Sequence, residues 1–263
     1  MREHYGKLNV PVPINSMRLR GTVEYLGTKW AGWQLQPDQP TVQGELERAI
    51  EIYTRVPVRV YSAGRTDAGV HATGQVIAFD VADNTDLERL FLAINGLTDK
   101  SISLVDLVRV NDAFDPRRHA LTRTYEYTIV NARPQSPFLR DRSWHVVAPI
   151  DVAHLSRLAA MVAGDHDFAA FRAADCESPS THRFVSESTW SRDGAVLTYR
   201  VAANAFLKQM VRTLVGSMVD VAVGRLAEAT FAELLGGGSR MHSGRTAPAA
   251  GLSLVGVEYP PEL

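Results

Sequence analysis

The sequence predicts an α+β fold, and three observations carry that expectation. Through the first half, apolar periods follow the order strand, helix, strand, strand, helix, strand, which is the ferredoxin-like split βαβ pattern. The strand stretches alternate apolar with polar residues, so each presents one face to a core. The 263 residues can bury a large core, as one unit or as two smaller ones sharing a sheet.

The elements follow in order. Met17, Leu19, Val23 and Tyr25 alternate with Arg18, Arg20, Thr22 and Glu24, a half-buried strand in which Gly21 suits a bulge. Thr41 suits the N-cap of a helix whose stripe is Val42, Leu46, Ala49, Ile50 and Tyr53. Residues 58–62 and 75–80 read as strands joined by the loop 63–72. Leu87, Leu90, Phe91 and Ile94 mark a second helix, and residues 101–108 a strand. The loop 114–120 leads to a strand over 121–131, in which Arg123, Tyr125, Tyr127 and Ile129 share a face and Tyr127 reads as core. Leu155, Leu158, Ala159 and Val162 form a third helix that ends near residues 164–171. Strands over 184–191 and 195–203 form a hairpin turned by Arg192-Asp193-Gly194.

A long helix then runs from about Phe206 to Val223, with Lys208 and Arg212 four apart on one side, two like charges that call for an anion. Gly236-Gly237-Gly238 lacks the Gly-Lys-Ser/Thr ending of a phosphate loop and reads as a flexible connection. Residues 250–260 alternate as a closing strand.

Composition narrows the classes. A formal net charge of -1 gives no general pull on nucleic acid, so any such surface must be local. The single cysteine, Cys176, forms no internal disulfide, and no charged-then-apolar leader or long apolar span is present. The expectation is a soluble cytoplasmic protein with no membrane partner. Its organisation is a flexible N-terminal tail at 1–16, an α+β half at 17–119 and a second α+β half at 120–263. The Asp165-His166-Asp167 run lacks a second histidine at a ligand spacing, so no metal is expected.

The loop 63–72 carries more than a turn requires. Gly64 and Gly69 relax the backbone, and Thr66 and Asp67 can bond it, yet the loop also keeps Arg65 two residues before Asp67 and His71 four beyond it. The nine residues Gly64 to Ala72 resemble the signature loop of the tRNA pseudouridine synthase A family, whose loop aspartate is catalytic. The resemblance extends from Met17 to Pro260 with the motifs in family order. Gly32-Trp33-Gln34-Leu35-Gln36 is similar to the family's Gly-Trp-Gln-x-Gln segment, and residues 204–212 to a segment ending in an arginine. The departures are Leu26, where the family has aspartate, and Leu97-Thr98, where it has Leu-Pro. The two indoles, Trp30 and Trp33, would either cap the sheet or stack on RNA.

The resemblance implies a pseudouridine synthase fold: two ferredoxin-like halves forming a mixed, mainly antiparallel central sheet flanked by helices, with the active-site cleft between them. It implies an isomerase converting uridine to pseudouridine at nucleotides 38, 39 and 40 of tRNA, a homodimer binding tRNA across both subunits. By the same likeness Asp67 is the nucleophile, on ribose or on uracil, and Arg212 its partner. Tyr125 stacks on the uracil and takes its proton, and Leu252 packs on the base. Arg65 fills the space of the flipped nucleotide or binds its phosphate, and Arg117, Arg118, Arg123 and Lys208 contact phosphates. The isomerisation exchanges no atoms with a cofactor, so none is expected.

Two other classes share the sequence. An RNA-binding or RNA-folding protein without catalysis would have little need of Asp67, Tyr125 and Arg212 together. A glycoside hydrolase would want a second carboxylate beside Asp67.

Overall fold

Alternating burial organises the first strands. The computed structural model describes residues 15–261, so the expected tail lies outside the described residues up to residue 14, and Ser16 already opens a strand. The chain divides into two compact units, one running to Leu121 and resuming at Val257, the other Thr122–Gly256.

The first unit holds β1 (Ser16–Tyr25), α1 (Val42–Thr54), β2 (Tyr61–Ser62), β3 (His71–Ala82), α2 (Leu87–Leu97) and β4 (Ile102–Val110). Met17, Leu19, Val23 and Tyr25 point into the core while their neighbours stay partly wet. The sheet runs β4-β1-β3-β2 with every pair antiparallel, the ferredoxin-like order. Both helices begin as the sequence suggests a helix should, on an oxygen that takes an orphan amide. Thr41 Oγ1 accepts from Gly44 N at 3.2 Å and Asp86 Oδ1 from Arg89 N at 3.1 Å. Val42, Leu46, Ala49 and Ile50 of α1, with Leu90 and Ile94 of α2, are buried.

One strand is shorter than its alternation predicts. Val58 and Val60 are buried, but only Tyr61 and Ser62 pair with β3. Two side chains of α1 take the backbone of Val60 instead: Glu47 Oε1 accepts its N–H at 3.0 Å, and Gln43 Nε2 donates to its carbonyl at 3.2 Å.

The second unit contains β5 (Thr122–Val130), β6 (Trp144–His145), α3 (Val152–Val162), β7 (Gly164–Asp167), β8 (His182–Asp193), β9 (Val196–Ala203), α4 (Met210–Ala222) and α5 (Glu228–Leu234). β10 (Leu252–Glu258) contributes its residues up to Gly256. The strand order is β10-β5-β9-β8-β7, with β6 parallel on β5. Without β6, β7 and α5 the chain repeats the same βαββαβ order. The architecture is therefore α+β and mainly antiparallel, with the parallel β5–β6 pair making it mixed.

Here three expectations are corrected. Residues 164–171 do not merely end a helix: Gly164–Asp167 pair with β8, and Phe168–Phe171 form a short 3-10 turn. The Gly236–Gly238 connection is tied down, since Gly236 bridges to Asp167. The long helix starts at Met210 rather than Phe206, because Gln209 adopts φ 63° and breaks the helical path. Lys208 therefore lies outside α4.

Residues 244–247 lie along α4 as a strap. Gly244 N donates to Ser217 Oγ at 3.0 Å, Arg245 N to Asp220 Oδ2 at 3.1 Å, and Ala247 N to Arg212 O at 3.0 Å. Gly216 permits this approach, because a Cβ there would stand 1.8 Å from Arg245 O. Gly216→Ala is expected to cost about 1–3 kcal/mol as the strap is pushed away, read as a lower urea midpoint; an unchanged midpoint would mean the strap is not seated on the helix.

Burial shifts the phenols of Tyr25, Tyr127 and Tyr199. Burial pushes the Tyr25 hydroxyl up to about 12, partly offset by bonds from Thr66 and Gln75, and raises Tyr127 and Tyr199 further. The unfolded chain deprotonates near pH 10 while the fold keeps its protons, so this contribution is intact below about pH 10 and is lost above it. The urea midpoint should hold to about pH 9.5 and fall beyond it. The fall should be shallower in Tyr25→Phe, by about 1.4 kcal/mol per pH unit; equal slopes would remove Tyr25 from the account.

Candidate active site

The loop after β2 is built to hold one residue still. Ala63 N pairs with Val76 O at 2.9 Å, and the fully buried Gln75 donates through Nε2 to Gly64 O at 2.8 Å. Beyond Asp67 the chain closes on itself, Val70 N donating to Asp67 O at 3.1 Å with Gly69 at φ 79°. β3 then begins at His71, two residues inside the expected loop.

A second loop, residues 26–34, clamps this one from the side. Thr66 is gripped twice: Trp33 N donates to its carbonyl at 3.0 Å, and its hydroxyl shares a buried 2.8 Å hydrogen bond with Tyr25 OH. Gly69 N reaches Trp30 O at 3.4 Å. Gly27 N donates to His71 Nδ1 at 3.0 Å, which leaves the ring hydrogen on Nε2. Gly32 sits at φ 100°, and a Cβ there would lie 2.8 Å from Thr66 O, so the clamp needs glycine at that position. Trp30 and Trp33 are buried, and Trp30 Nε1 donates to Ser101 Oγ at 3.1 Å. Of the two readings of the indoles, capping is the one realised. Thr66 is thus buried, Asp67 half-buried and Arg65 exposed. Leu26, the departure from aspartate, is exposed, and its N–H bonds to Ser101 O at 2.9 Å.

The other candidate in this unit is Arg117. Its amide and that of Arg118 donate to Asp115 Oδ1 at 2.8 and 2.9 Å, which fixes the turn and leaves the Arg117 side chain exposed.

In the second unit the candidates gather on β5 and on the two segments beside it. Arg123 and Tyr125 are nearly buried. Arg123 Nη1 donates to Asn204 O at 2.7 Å, and the Tyr125 ring meets Phe206 edge-on at 5.0 Å. Tyr127 is core, as expected, and its hydroxyl donates to Pro248 O at 2.8 Å. Arg212 stands in the first turn of α4, where its Nε donates to Ala247 O at 2.8 Å while its carbonyl takes the Ala247 amide. The strap then turns through Ala249–Gly251 and delivers the buried Leu252 at the start of β10. Gly251 lies against the Tyr127 ring. Arg212 and Leu252 are therefore positioned by the two ends of one short segment.

Lys208 departs from expectation. It does not face Arg212 across a helical turn; its Nζ lies 2.6 Å from Asp175 Oδ2, and that bond holds the Asp175 carboxyl below its ordinary range. The anion the two cations seemed to require is, for Lys208, a carboxylate of this chain. Asp167 Oδ1 caps the following turn by accepting from Ala169 N at 3.0 Å. Among the described residues no group of three or more His, Cys, Asp or Glu could hold a metal ion, and no helix is long and apolar enough to cross a membrane. Sequence reasoning did not find Tyr25, Thr66 and Gln75 as a support. The signal available was a polar glutamine at an inward position of an otherwise apolar strand.

A family model described as tRNA pseudouridine synthase matches residues 22–125 and 158–260. The chain belongs to the tRNA pseudouridine synthase family. Its members are isomerases, and so is this protein. It is 42% identical over 243 residues to the tRNA pseudouridine synthase A of Myxococcus xanthus, covering 92% of each chain. To the enzyme of the same name from Moorella thermoacetica it is 40% identical over 243 residues, 92% of this chain and 99% of that one. The synthase A of Methylobacterium nodulans is 41% identical over 244 residues, 92% of this chain and 96% of that one. The matched ranges of the family model include Asp67, Tyr125, Arg212 and Leu252.

The clamp gives a direct test in this synthase. Thr66→Val keeps shape and removes the hydroxyl, whereas Thr66→Ser keeps the hydroxyl. Turnover should drop about 10- to 100-fold in Thr66→Val and in Tyr25→Phe, with KM nearly constant, and the double variant should be no worse than either alone. Equal losses in Thr66→Ser and Thr66→Val would show that the hydroxyl bond is not what matters.

Proposed function

We propose that this synthase isomerises the uridines at nucleotides 38, 39 and 40 of tRNA, with Asp67 as the nucleophile. The reaction breaks the bond from uracil N1 to the ribose, turns the base and joins C5 to the same ribose carbon. C5 loses a proton and N1 gains one, so the atoms balance without a cofactor. Asp67 attacks either the ribose or the uracil ring, which lets the base turn while one end stays held. Arg212 orients the carboxylate. Tyr125 stacks on the flipped uracil and accepts the C5 proton, and Leu252 packs on its face.

Extruding the base costs roughly a few kcal/mol. Arg65 fills the vacated space or binds the adjoining phosphate, and Arg117, Arg118 and Arg123 contribute phosphate contacts. Lys208 joins them only by giving up its carboxylate partner, so its share is smaller. The enzyme acts in the cytoplasm as a homodimer that binds tRNA across both subunits.

The observation that carries this reading is the build of the loop. Thr66 is held at both its carbonyl and its hydroxyl, an expense that is justified where the next residue must be kept in a fixed place. Asp67 is that residue, and it is only half-buried.

Tritium release from C5 of uridine in unmodified tRNA, with no metal or cofactor added, tests it. The wild-type chain should release tritium. Asp67→Asn should lose about 10³-fold or more of that rate and still bind the tRNA. Release by Asp67→Asn at the wild-type rate would remove Asp67 as the nucleophile.

A further inference from the structure

Between β5 and β6 the chain makes an excursion, residues 131–143, that the site above does not use. Its middle exposes Phe138, 84% accessible and among the most exposed large apolar side chains of the described residues. At that exposure the ring contributes nothing to a core, and what gives it interest is the company it keeps. The excursion is nonetheless ordered by its own bonds. Leu139 N donates to Ser136 O at 3.3 Å, Arg142 N to Leu139 O at 3.1 Å, and Ser143 Oγ to Leu139 O at 2.6 Å. Phe138 is thereby held outward on a defined turn.

Three arginines accompany it: Arg133, Arg140 and Arg142, all exposed. None of the three meets a carboxylate among the described residues. The one polar contact is a 3.4 Å bond from Arg142 Nη2 to Phe138 O. Asp141 is the single acid in the excursion, and it too is exposed. Elsewhere some arginines are matched, Arg18 with Asp80, Arg48 with Glu45 and Arg200 with Glu126 and Glu187; what sets Arg133, Arg140 and Arg142 apart is that they cluster around an exposed ring.

The location gives the patch a context. The turn Arg140–Arg142 packs against Ala249–Gly251, the segment that delivers Leu252. An outward ring and guanidiniums therefore stand beside the strap that ends in the residue assigned to the target base.

We infer that Phe138, Arg140 and Arg142, with Arg133, form an RNA-contacting surface for nucleotides neighbouring the target uridine. It rests on tRNA being the substrate. The ring offers a stacking face to an unpaired base, and the guanidiniums take phosphates or stack in turn. Charge decides for RNA over a second copy of this chain: a patch of unmatched arginines on a chain of net charge -1 meets no general acidity in a copy of itself, whereas every nucleotide brings a phosphate.

The test measures binding of unmodified tRNA to the full-length enzyme over a range of salt, with molar mass in solution followed in parallel. Phe138→Ala should weaken binding about 5- to 150-fold, and Phe138→Trp should restore it. The Arg140→Gln, Arg142→Gln pair should reduce the slope of log affinity against log salt by about 1.4 to 1.8. Tritium release at saturating tRNA should stay close to wild type in all of them. Wild-type affinity and slope in the variants would overturn the inference while leaving Asp67→Asn to report on the nucleophile. A change in molar mass would overturn it in favour of a contact between copies. A wild-type enzyme that binds no tRNA would remove the substrate reading itself, and this inference with it.

Discussion

The double hold on Thr66 is the constraint from which the first unit is best understood. The loop between β2 and β3, residues 63–70, has more conformations than catalysis tolerates, and fixing it costs about 1–2 kcal/mol of backbone entropy per residue. The fold meets that cost at a few points. Tyr25 ends β1 with its hydroxyl beneath Thr66, and Trp33 brings its amide to the carbonyl of the same residue. Because both bonds are buried, leaving either partner unmatched would cost more than the bond itself contributes. The tyrosine must then lie at the end of the strand, the indoles must be inside, and Gly32 must take a conformation that L side chains resist. Asp67 inherits its position from these neighbours.

The second unit reaches the same end by different means. Here the recurring device is a charged or aromatic side chain tied to a backbone carbonyl: Arg123 to Asn204, Tyr127 to Pro248, Arg212 to Ala247. A carbonyl on a rigid segment helps fix where a guanidinium or a phenol stands. Lys208 is tied to Asp175 in an ion pair, and as a partly exposed one it contributes little to stability.

Much of this was legible from local pattern, and the failures have a common physical origin. Thr41 before an apolar stripe, and the alternation from Met17 to Tyr25, are encoded within a few residues, and both were read correctly. Val58 and Val60 alternate just as well, but the backbone of Val60 is claimed by Gln43 and Glu47, more than ten residues away, so the strand does not form where the pattern puts it. The start of α4 failed similarly. Apolar residues keep the helical spacing through Phe206, and what stops the helix is Gln209 in a left-handed conformation, with Ala173 N bonded to Lys208 O at 2.9 Å. Periodicity records which side chains are buried; it is blind to which distant group takes the backbone. The loop 63–72 stands out because its residue types exceed what a turn needs, whereas its clamp does not, since Tyr25 looks like an ordinary member of its strand and Gln75, though polar at an inward position, shows no partner in the local pattern.

The net charge of the chain, which gives no general pull on nucleic acid, acquires a further meaning once charges are assigned to partners. An RNA-modifying enzyme must attract phosphate in one region without binding it everywhere, because non-specific contacts would compete with productive ones. A chain with nearly equal acids and bases can do this by pairing some of its surface cations where RNA should not sit. Arg245 and Arg225 converge on Asp220, and Arg200 sits between Glu126 and Glu187. Such pairs are weak as stabilisers, but they remove positive potential from their part of the surface. The cations left without carboxylates then define where an anion is drawn. On this argument the acidic residues of the chain contribute to specificity as directly as the basic ones, and substituting Glu126 and Glu187 would blur the target by freeing Arg200 rather than by touching the site.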